Sequence, residues 1–531
     1  MLMKQKIKFD PQFKHALDKL ENSDKHVFLT GHAGTGKSTL LDYFRNKTKK
    51  NVAVVAPTGV AALNVKGQTI HSFFGFRPDV TVENVQRFYR RKGKKGLFKK
   101  LDAIIIDEIS MVRADLLDCI DAFLRMHGQN LNLPFGGVQM ILIGDLHQLP
   151  PVVTRGEKDV FSSFYQSPYF FSAHVFEQLD LAYIELKKIY RQEDKQFIKI
   201  LSSIRNDELD DSQLTLLNTR HDPQFETPAN DFYIHLTTTN RKAQQINDYH
   251  LSRSIGKKYS YQGSKSGKFT TKALPTSELL EVKIGAQIMM VANDRDGRWV
   301  NGSLGKIVDI KEDPDFDDGE DMIMVELADG NVVKVTPYTW EMFKINYNPA
   351  TNKLQTETTG SYEQYPLRLA WAITIHKSQG KTFDNVVIDF SWGTFAHGQA
   401  YVALSRCTSL EGLVMSTAFK KEFIKSDSQV RKFLTTFRYF ADEEDIGENK
   451  EEVEGEGDMV IEALKIIINQ ALESGSLVTF TDADNTRRTV KPEKLVLGDS
   501  NQLVGYCYTV GEKVEFELTE IRELRELRGV S

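Results

Sequence analysis

The chain has 531 residues, 40% of them apolar and 27% charged, with a formal net charge of −5. That length exceeds what one hydrophobic core organises, so several domains are expected. No apolar run approaches the roughly 18–20 residues that span a bilayer, the opening MLMKQKIKFDPQF lacks an apolar stretch of signal-peptide length, and Cys119, Cys407 and Cys507 are too dispersed for a disulfide framework or a metal knuckle; a protein of a reducing, cytoplasmic compartment is expected.

Short apolar runs rich in β-branched residues recur along the chain, in order HVFLTG, NVAVVAP, AIIIDE, QMILIGD, FYIHLTTTN and NVVIDF. Several end in Gly, Asp, Thr or Pro and give way to helical or loop stretches. This is the pattern of parallel sheets wrapped by helices, whose ligands sit beyond the carboxyl ends of the strands. The first run leads directly into GHAGTGKST, Gly31–Thr39, which fits G-x-x-x-x-G-K-S/T. Its glycines let backbone N–H groups curl round a polyphosphate at the start of a helix. In that loop Gly34, Thr35, Gly36, Lys37, Ser38 and Thr39 are the nucleotide-binding candidates: Lys37 neutralises terminal phosphates and Ser38 offers a hydroxyl to Mg²⁺.

The run AIIIDE closes on two adjacent acids, Asp107 and Glu108. A buried carboxylate without a partner costs several kcal/mol, so a cation is its natural neighbour. With a phosphate loop about seventy residues upstream, Asp107 is expected to orient Mg²⁺ and Glu108 to activate the attacking water. QMILIGD continues into LHQLPPV, which sets Gln148 where it can sense a γ-phosphate. Arg191 in LKKIYRQ and Arg406 in AYVALSRCTS are candidate charge clamps.

These segments resemble a known family. VAPTGVAALNVKGQTIHSFF, IIIDEISMVRADLLD, GDLHQLPPV, YRQ, WAITIHKSQGKTFDNVVID and QAYVALSRCTS stand in the order found in superfamily-one DNA helicases, and EISMVRADLLDCIDAFLR resembles the distinctive segment of the Pif-one family, relatives of RecD. The resemblance runs from about Gln12 to Thr417. It implies two RecA-like P-loop domains with ATP between them, an α/β fold, and a 5′-to-3′ helicase that meets single-stranded DNA and fork or tailed duplex, with quadruplex and DNA–RNA hybrid as further candidate substrates in replication, repair or telomere maintenance. By the same resemblance Gln12 reads adenine, Gly380 lies near the γ-phosphate, Thr58, Gly59 and His71 contact DNA from the first domain, and Asn240, Thr374, His376 and Lys377 contact it from the second. Such side chains hold phosphates without reading bases. A DNA-associated protein of bacterial type, monomeric in solution, is expected. Two other readings stay open: a translocase that remodels protein–DNA complexes without processive unwinding, and a nucleotide-gated binding module without turnover.

Two inserts and a tail complete the expectation. RFYRRKGKKGLFKK, from Arg87 to Lys100, holds eight basic residues, no acid, and Phe88, Tyr89 and Phe98, a mixture suited to tracking a backbone and stacking on bases; the family carries a small duplex-splitting arm at this position. The stretch 302–365 contains short strand-like runs with turn signals, expected to form a small barrel, SH3-like in the family. From Asp442 to Asp458 ten acids face one lysine, the mark of a disordered linker. Beyond it, Arg488, Val490, Pro492 and LVGYC resemble a WYL domain, although Asn501-Gln502-Leu503 replaces the name-giving triplet. The expected domains are therefore 1–180 (arm 77–100), 181–301 with 366–440, the insert 302–365, a linker 441–458 and a β-rich unit 459–531.

Overall fold

The computed structural model describes residues 10–88, 96–153, 157–228, 231–269, 274–294, 296–312, 321–348, 353–391, 393–440, 456–484, 486–498 and 501–527. The chain divides into two compact units, residues 1–181 with 185–426, and 182–184 with 427–531. No described helix is long and apolar enough to cross a membrane.

The first unit is built on two parallel sheets. The larger has the order Gln68–Thr69, Val52–Ala56, Ala103–Ile106, Gln139–Ile143, His26–Gly31, and the strand Leu181–Leu186, whose residues 182–184 group with the second unit, is counted in the same sheet. Its central strands are apolar on both faces because helices cover both: Ile104, Ile105 and Ile106 are fully buried. The smaller has the order Ala372–Thr374, Ile234–Thr237, Val386–Ile388, Leu413–Met415, all in parallel register. All six apolar runs picked out in the sequence are thus strands of the two parallel sheets, giving an α/β fold.

Helices start where side chains cap them. Asp10 accepts the Phe13 N–H at 2.8 Å and Pro11 opens the helix Pro11–Asn22, a position where its missing N–H costs nothing. Thr58, Thr69 and Thr239 cap Gly59–Asn64, Ile70–Phe74 and Asn240–Arg253 in the same way, each at or just past a strand's carboxyl end.

Antiparallel structure is inserted between strands of the smaller sheet. A five-stranded sheet runs Val332–Val335, Asp321–Leu327, Leu304–Glu312, Gln287–Met290, Leu367–Leu369, around a core that includes Ile288, Ile307, Ile323, Val325 and Trp299. It draws strands 287–290 and 367–369 from either side of the expected 302–365. The long hairpin Tyr338–Asn348/Lys353–Gln364 forms a separate sheet with Ser264–Gly267.

The arm expected at 77–100 is described only in part. Tyr89, Arg90, Arg91, Lys92, Lys94 and Lys95 lie outside the described residues. Phe98 does not stack on bases. It is 2% exposed, with its ring 4.9 Å from that of Phe123 and 5.5 Å from that of Phe73. The turn Phe98–Lys100 feeds the strand Ala103–Ile106, and the ring is needed to fill the core below it.

The second unit contains the helix Glu456–Ser474 and a five-stranded antiparallel sheet in the order Glu512–Glu517, Gln502–Cys507, Arg487–Val496, Leu477–Thr481, Arg522–Leu527. Leu464, Ile467 and Ile468 of the helix pack on Val478, Phe480, Val490 and Leu503 of the sheet. Most of the acidic run, residues 441–455, lies outside the described residues.

Candidate nucleotide and DNA site

The strand His26–Gly31 runs into a loop whose backbone only glycine tolerates at two points. Gly36 has φ 86° and caps the helix Lys37–Lys47, a left-handed conformation that a Cβ disfavours. At Gly34, φ is +84° and a Cβ would come 2.5 Å from Cβ of Arg191. That close approach brings the segment LKKIYRQ onto the loop, where the Tyr190 N–H also donates to Gly34 O at 2.9 Å. Lys37 Nζ donates to Gly31 O at 2.8 Å and His32 O at 2.9 Å; burial lowers its pKa. Thr35 Oγ1 donates to His32 O at 2.9 Å, while Ser38 and Thr39 are exposed.

Asp107 and Glu108 follow the strand Ala103–Ile106, two strands away from the loop in the same sheet. Glu108 holds φ 52°, left-handed for a residue with a side chain, a conformation that clusters at functional sites. Burial pushes Asp107 up to about 6. Burial, reinforced by Asp107, pushes Glu108 up to about 7. The hydroxyl of Ser38 and the carboxylate of Asp107 are hard oxygen donors suited to a small divalent cation. Among the described residues there is no group of three His, Cys, Asp or Glu able to hold a metal, so a cation here would need further oxygens from a nucleotide.

Two arginines line the opposite side: Arg406, between the smaller sheet's strands Val386–Ile388 and Leu413–Met415, and Arg191, in the segment that follows Leu186 of the larger sheet. Arg191 NH1 donates to Ser405 O at 3.3 Å, and its neighbour Gln192 donates to Ser405 O and Cys407 O at 3.1 and 3.0 Å. Arg406 is 1% exposed; it donates to Val402 O at 2.8 Å, to Ser378 O and Lys381 O at 3.3 and 3.2 Å, and to Ser405 Oγ at 2.8 Å. Burial, then the nearby Arg191, pushes its guanidinium down to about 9. Lys37, Asp107, Glu108, Arg191 and Arg406 thus belong to one electrostatic cluster. Gln148 joins it by a hydrogen bond from Gln379 Nε2 to Gln148 Oε1, 3.3 Å. Gly380 is exposed with φ +77°. Gln12 lies in the first turn of its helix, where its Oε1 accepts the Lys187 N–H at 3.1 Å; its neighbour Phe13 is 3.7 Å from where a Cβ on Gly36 would stand.

Several participants escaped the sequence reading. Gln379 Nε2 also donates to Glu108 Oε2 at 2.9 Å. Tyr401 Oη accepts the Ala33 N–H of the phosphate loop at 2.9 Å. Asp145 accepts from Gln148 Nε2 and Arg205 NH2, both at 3.3 Å; burial alone would raise it, but Arg205 and Lys37 hold it below the ordinary carboxylate range. Gln379, Tyr401 and Asp145 sit inside the quoted runs HKSQG, QAYVAL and GDLHQ, so a signal existed. Arg205, in an otherwise plain amphipathic helix Lys195–Asn206, had none.

The DNA-contact candidates fall into two groups. Thr58, Gly59 and His71 follow adjacent strands of the larger sheet, paired Ala56 to Thr69. Asn240, Thr374, His376 and Lys377 lie at the ends of adjacent strands of the smaller, paired Thr237 to Thr374. Thr58 Oγ1 accepts the Ala61 N–H at 3.2 Å, which leaves its own hydroxyl hydrogen to donate. Thr374 Oγ1 likewise accepts the Lys377 N–H at 3.3 Å. Asn240, His376 and Lys377 are exposed.

A phosphate loop and an acidic pair on one parallel sheet, faced by Arg406 from the region of a second and by Arg191 hydrogen-bonded to it, define a two-sheet P-loop motor ATPase. Residues 8–215 match the family described as PIF1-like helicase. The ATP-dependent DNA helicase Pif1 of Bdellovibrio bacteriovorus is 34% identical over 420 residues, 77% of this chain and 87% of that one. The human and mouse PIF1 helicases are longer, and the match spans 61% and 60% of them. Among solved structures, Bacteroides sp Pif1 in complex with ADP-AlF4 is 36% identical with a TM-score of 0.74, over 81% of this chain and 97% of that one. The Bacteroides Pif1 complex with ADP-AlF3 and ssDNA is 36% identical with a TM-score of 0.57, over the same shares. The chain belongs to the Pif1 family and is an ATP-dependent DNA helicase.

Proposed function

We propose that this helicase tracks 5′-to-3′ on single-stranded DNA and opens forked or tailed duplex, with each residue of the cleft in a defined role. The backbone of Gly34–Thr39 and Lys37 bind the phosphates, and Gln12 holds the adenine edge. Ser38 and Asp107 hold Mg²⁺, which when bound would neutralise charge developing on the phosphates. Glu108 positions and deprotonates the attacking water. Gln148 and Gly380 respond to the γ-phosphate, and Arg191 and Arg406 clamp the transferring phosphoryl group.

The observation that carries this assignment is the state of the two arginines. Each is hydrogen-bonded only to neutral oxygens, with no carboxylate at hydrogen-bond or ion-pair distance among the described residues; Glu108 and Asp145 act on Arg406 only from farther off. A buried cation left unpaired is costly, and a transferred phosphoryl group is the anion that would complete it. Closure of the cleft on ATP and its reopening after hydrolysis would alternate the grip of Thr58, Gly59 and His71 against that of Asn240, Thr374, His376 and Lys377, giving stepwise motion by a monomer. The direction rests on the family resemblance.

The antiparallel insert is assigned an SH3-like role and the C-terminal unit a WYL-like one. In the latter, Lys491, Tyr506 and Lys513 are exposed and in cross-strand register; Lys513 is paired with Glu493 at 2.6 Å, so Lys491 and the Tyr506 ring are the groups suited to a nucleic-acid backbone. The deciding experiment measures ATPase rate with and without single-stranded DNA, alongside unwinding of duplexes carrying opposite tails. DNA-stimulated ATPase with unwinding only from a 5′ tail is expected. Stimulation without strand displacement would favour a remodelling translocase, and unwinding from a 3′ tail would overturn the direction.

A further inference from the structure

The run Thr374–Lys381 joins the DNA-contact candidates to the ATP site within a single rigid segment. Lys377 N–H donates to Thr374 Oγ1 at 3.3 Å, Ser378 Oγ to Ile375 O at 2.7 Å, Gln379 N–H to His376 O at 3.3 Å, and Lys381 N–H to Ser378 O at 3.0 Å. Ser378 is fully buried. These bonds tie the segment to itself and link its two ends through a few residues. One end presents His376 and Lys377 to solvent. From the other, the carbonyls of Ser378 and Lys381 hold Arg406, and the side chain of Gln379 reaches the first sheet.

The bonds made by Gln379 have a polarity that chemistry fixes. Asp145, ionised beside Arg205, can only accept, so Gln148 must turn its NH₂ toward Asp145 and its oxygen away. That oxygen then requires a donor, which Gln379 supplies while also donating to Glu108. The result is one directed chain, Arg205 to Asp145, Gln148 to Asp145, Gln379 to Gln148 and to Glu108. No member can turn its amide over without breaking two bonds.

We propose that Gln379 is the positioning residue that couples DNA binding to hydrolysis: it sets Glu108 and Gln148 in their working orientation when the strand-contacting end of its segment is engaged. This rests on Glu108 as the water-activating acid and on His376 and Lys377 as DNA contacts. It adds to that reading the physical link between them, a primary amide whose two N–H groups are both committed across the cleft.

The test compares Gln379→Ala and Gln379→Met, the latter keeping side-chain length without either donor. The ratio of kcat with saturating single-stranded DNA to kcat without it is expected to fall on the order of 10- to 100-fold in both, the scale of a small misplacement of a catalytic group. KM for ATP and Kd for a single-stranded oligonucleotide should stay within about twofold of wild type, and Gln379→Ala combined with Gln148→Ala should lose no more than the worse single variant. A ratio unchanged in Gln379→Met, a loss confined to KM or Kd, or losses that multiply in the double variant would each overturn the proposal. Glu108→Gln run in parallel separates the two levels. If it retains turnover, the underlying role of Glu108 is wrong. If it loses turnover while both Gln379 variants keep the DNA response, only the coupling is wrong.

Discussion

Three buried or nearly buried arginines flank the phosphate loop, and they are treated in two ways. Behind the loop, Arg205 meets Asp145 at 3.3 Å and Glu185 at 3.6 Å, so its charge is answered by carboxylates of the protein. In front, Arg191 and Arg406 hydrogen-bond only to carbonyl and hydroxyl oxygens, and burial lowers the pKa of each. The rear wall has its charges paired in direct contact; the front, where Glu108 and Asp145 act on Arg406 only from a distance, has room for a polyanion. Buried charge therefore serves the fold at the rear and the reaction at the front, and removal should separate these roles.

The front should show the largest effects. Arg406→Ala and Arg191→Ala should each lower DNA-stimulated turnover by roughly 10³–10⁵ while changing ATP affinity far less, measured by phosphate release and by equilibrium binding of ATP. If either variant loses affinity alone, that arginine binds ground-state nucleotide and the contrast with Arg205 weakens. Glu108→Gln should cost on the order of 10²–10⁴ in turnover with ATP and single-stranded DNA still bound; near-normal ATPase would remove Glu108 from the mechanism.

At the rear the loss should appear in stability. Arg205→Ala leaves Asp145 buried without its closest cation and should cost about 3–5 kcal/mol in urea unfolding, whereas Arg191→Ala should leave the unfolding midpoint almost unmoved. Equal destabilisation by both would erase the distinction between the two walls. The mildest effect is a pH dependence. Burial, and then Arg205, hold His32 neutral down to about 3, and burial holds His26 neutral down to about 4. The unfolded chain protonates these rings near pH 6.5, so it takes up protons before the folded protein does. Stability from keeping them neutral is complete above about pH 6.5 and is lost as pH falls toward 4. Asp145 acts in the same direction only at still lower pH, below the ordinary carboxylate range. His26→Asn should flatten the decline between pH 6 and 4; an unchanged slope would show that the ring is not neutral in the fold.

The sequence made the front of the cleft legible and hid most of the rear. Lys37, Glu108 and Arg406 stand in runs where residue type, spacing and strand context agree, and the six apolar runs marked both sheets because a strand covered on two faces must be apolar throughout. Arg205 was invisible, since one arginine on an amphipathic helix looks like any solvated residue until the fold brings Asp145 and Glu185 beside it. Gln379 stood in a quoted motif but carried no charge to attract notice. Phe98 was misjudged for the opposite reason: lysines on either side suggested a nucleic-acid surface, while the ring itself was required by the core around Phe123. The antiparallel insert was recognised, but its bounds were not, because nothing in strands 287–290 and 367–369 taken singly shows that they pair with each other across about eighty residues.

Those two strands have a consequence for how such a motor can be altered. Gln287–Met290 and Leu367–Leu369 lie side by side in antiparallel register, and the Val291 N–H donates to Pro366 O at 2.9 Å. The stretch 291–366 therefore departs and returns through one hydrogen-bonded neck, while Ser264–Gly267, from earlier in the chain, pairs with its long hairpin. A module attached at adjacent points can grow, shrink or be exchanged while the strands that carry the nucleotide cleft keep their register. In an engineered chimera, the neck is where a foreign β-rich module could be spliced with the least disturbance to the engine beneath it.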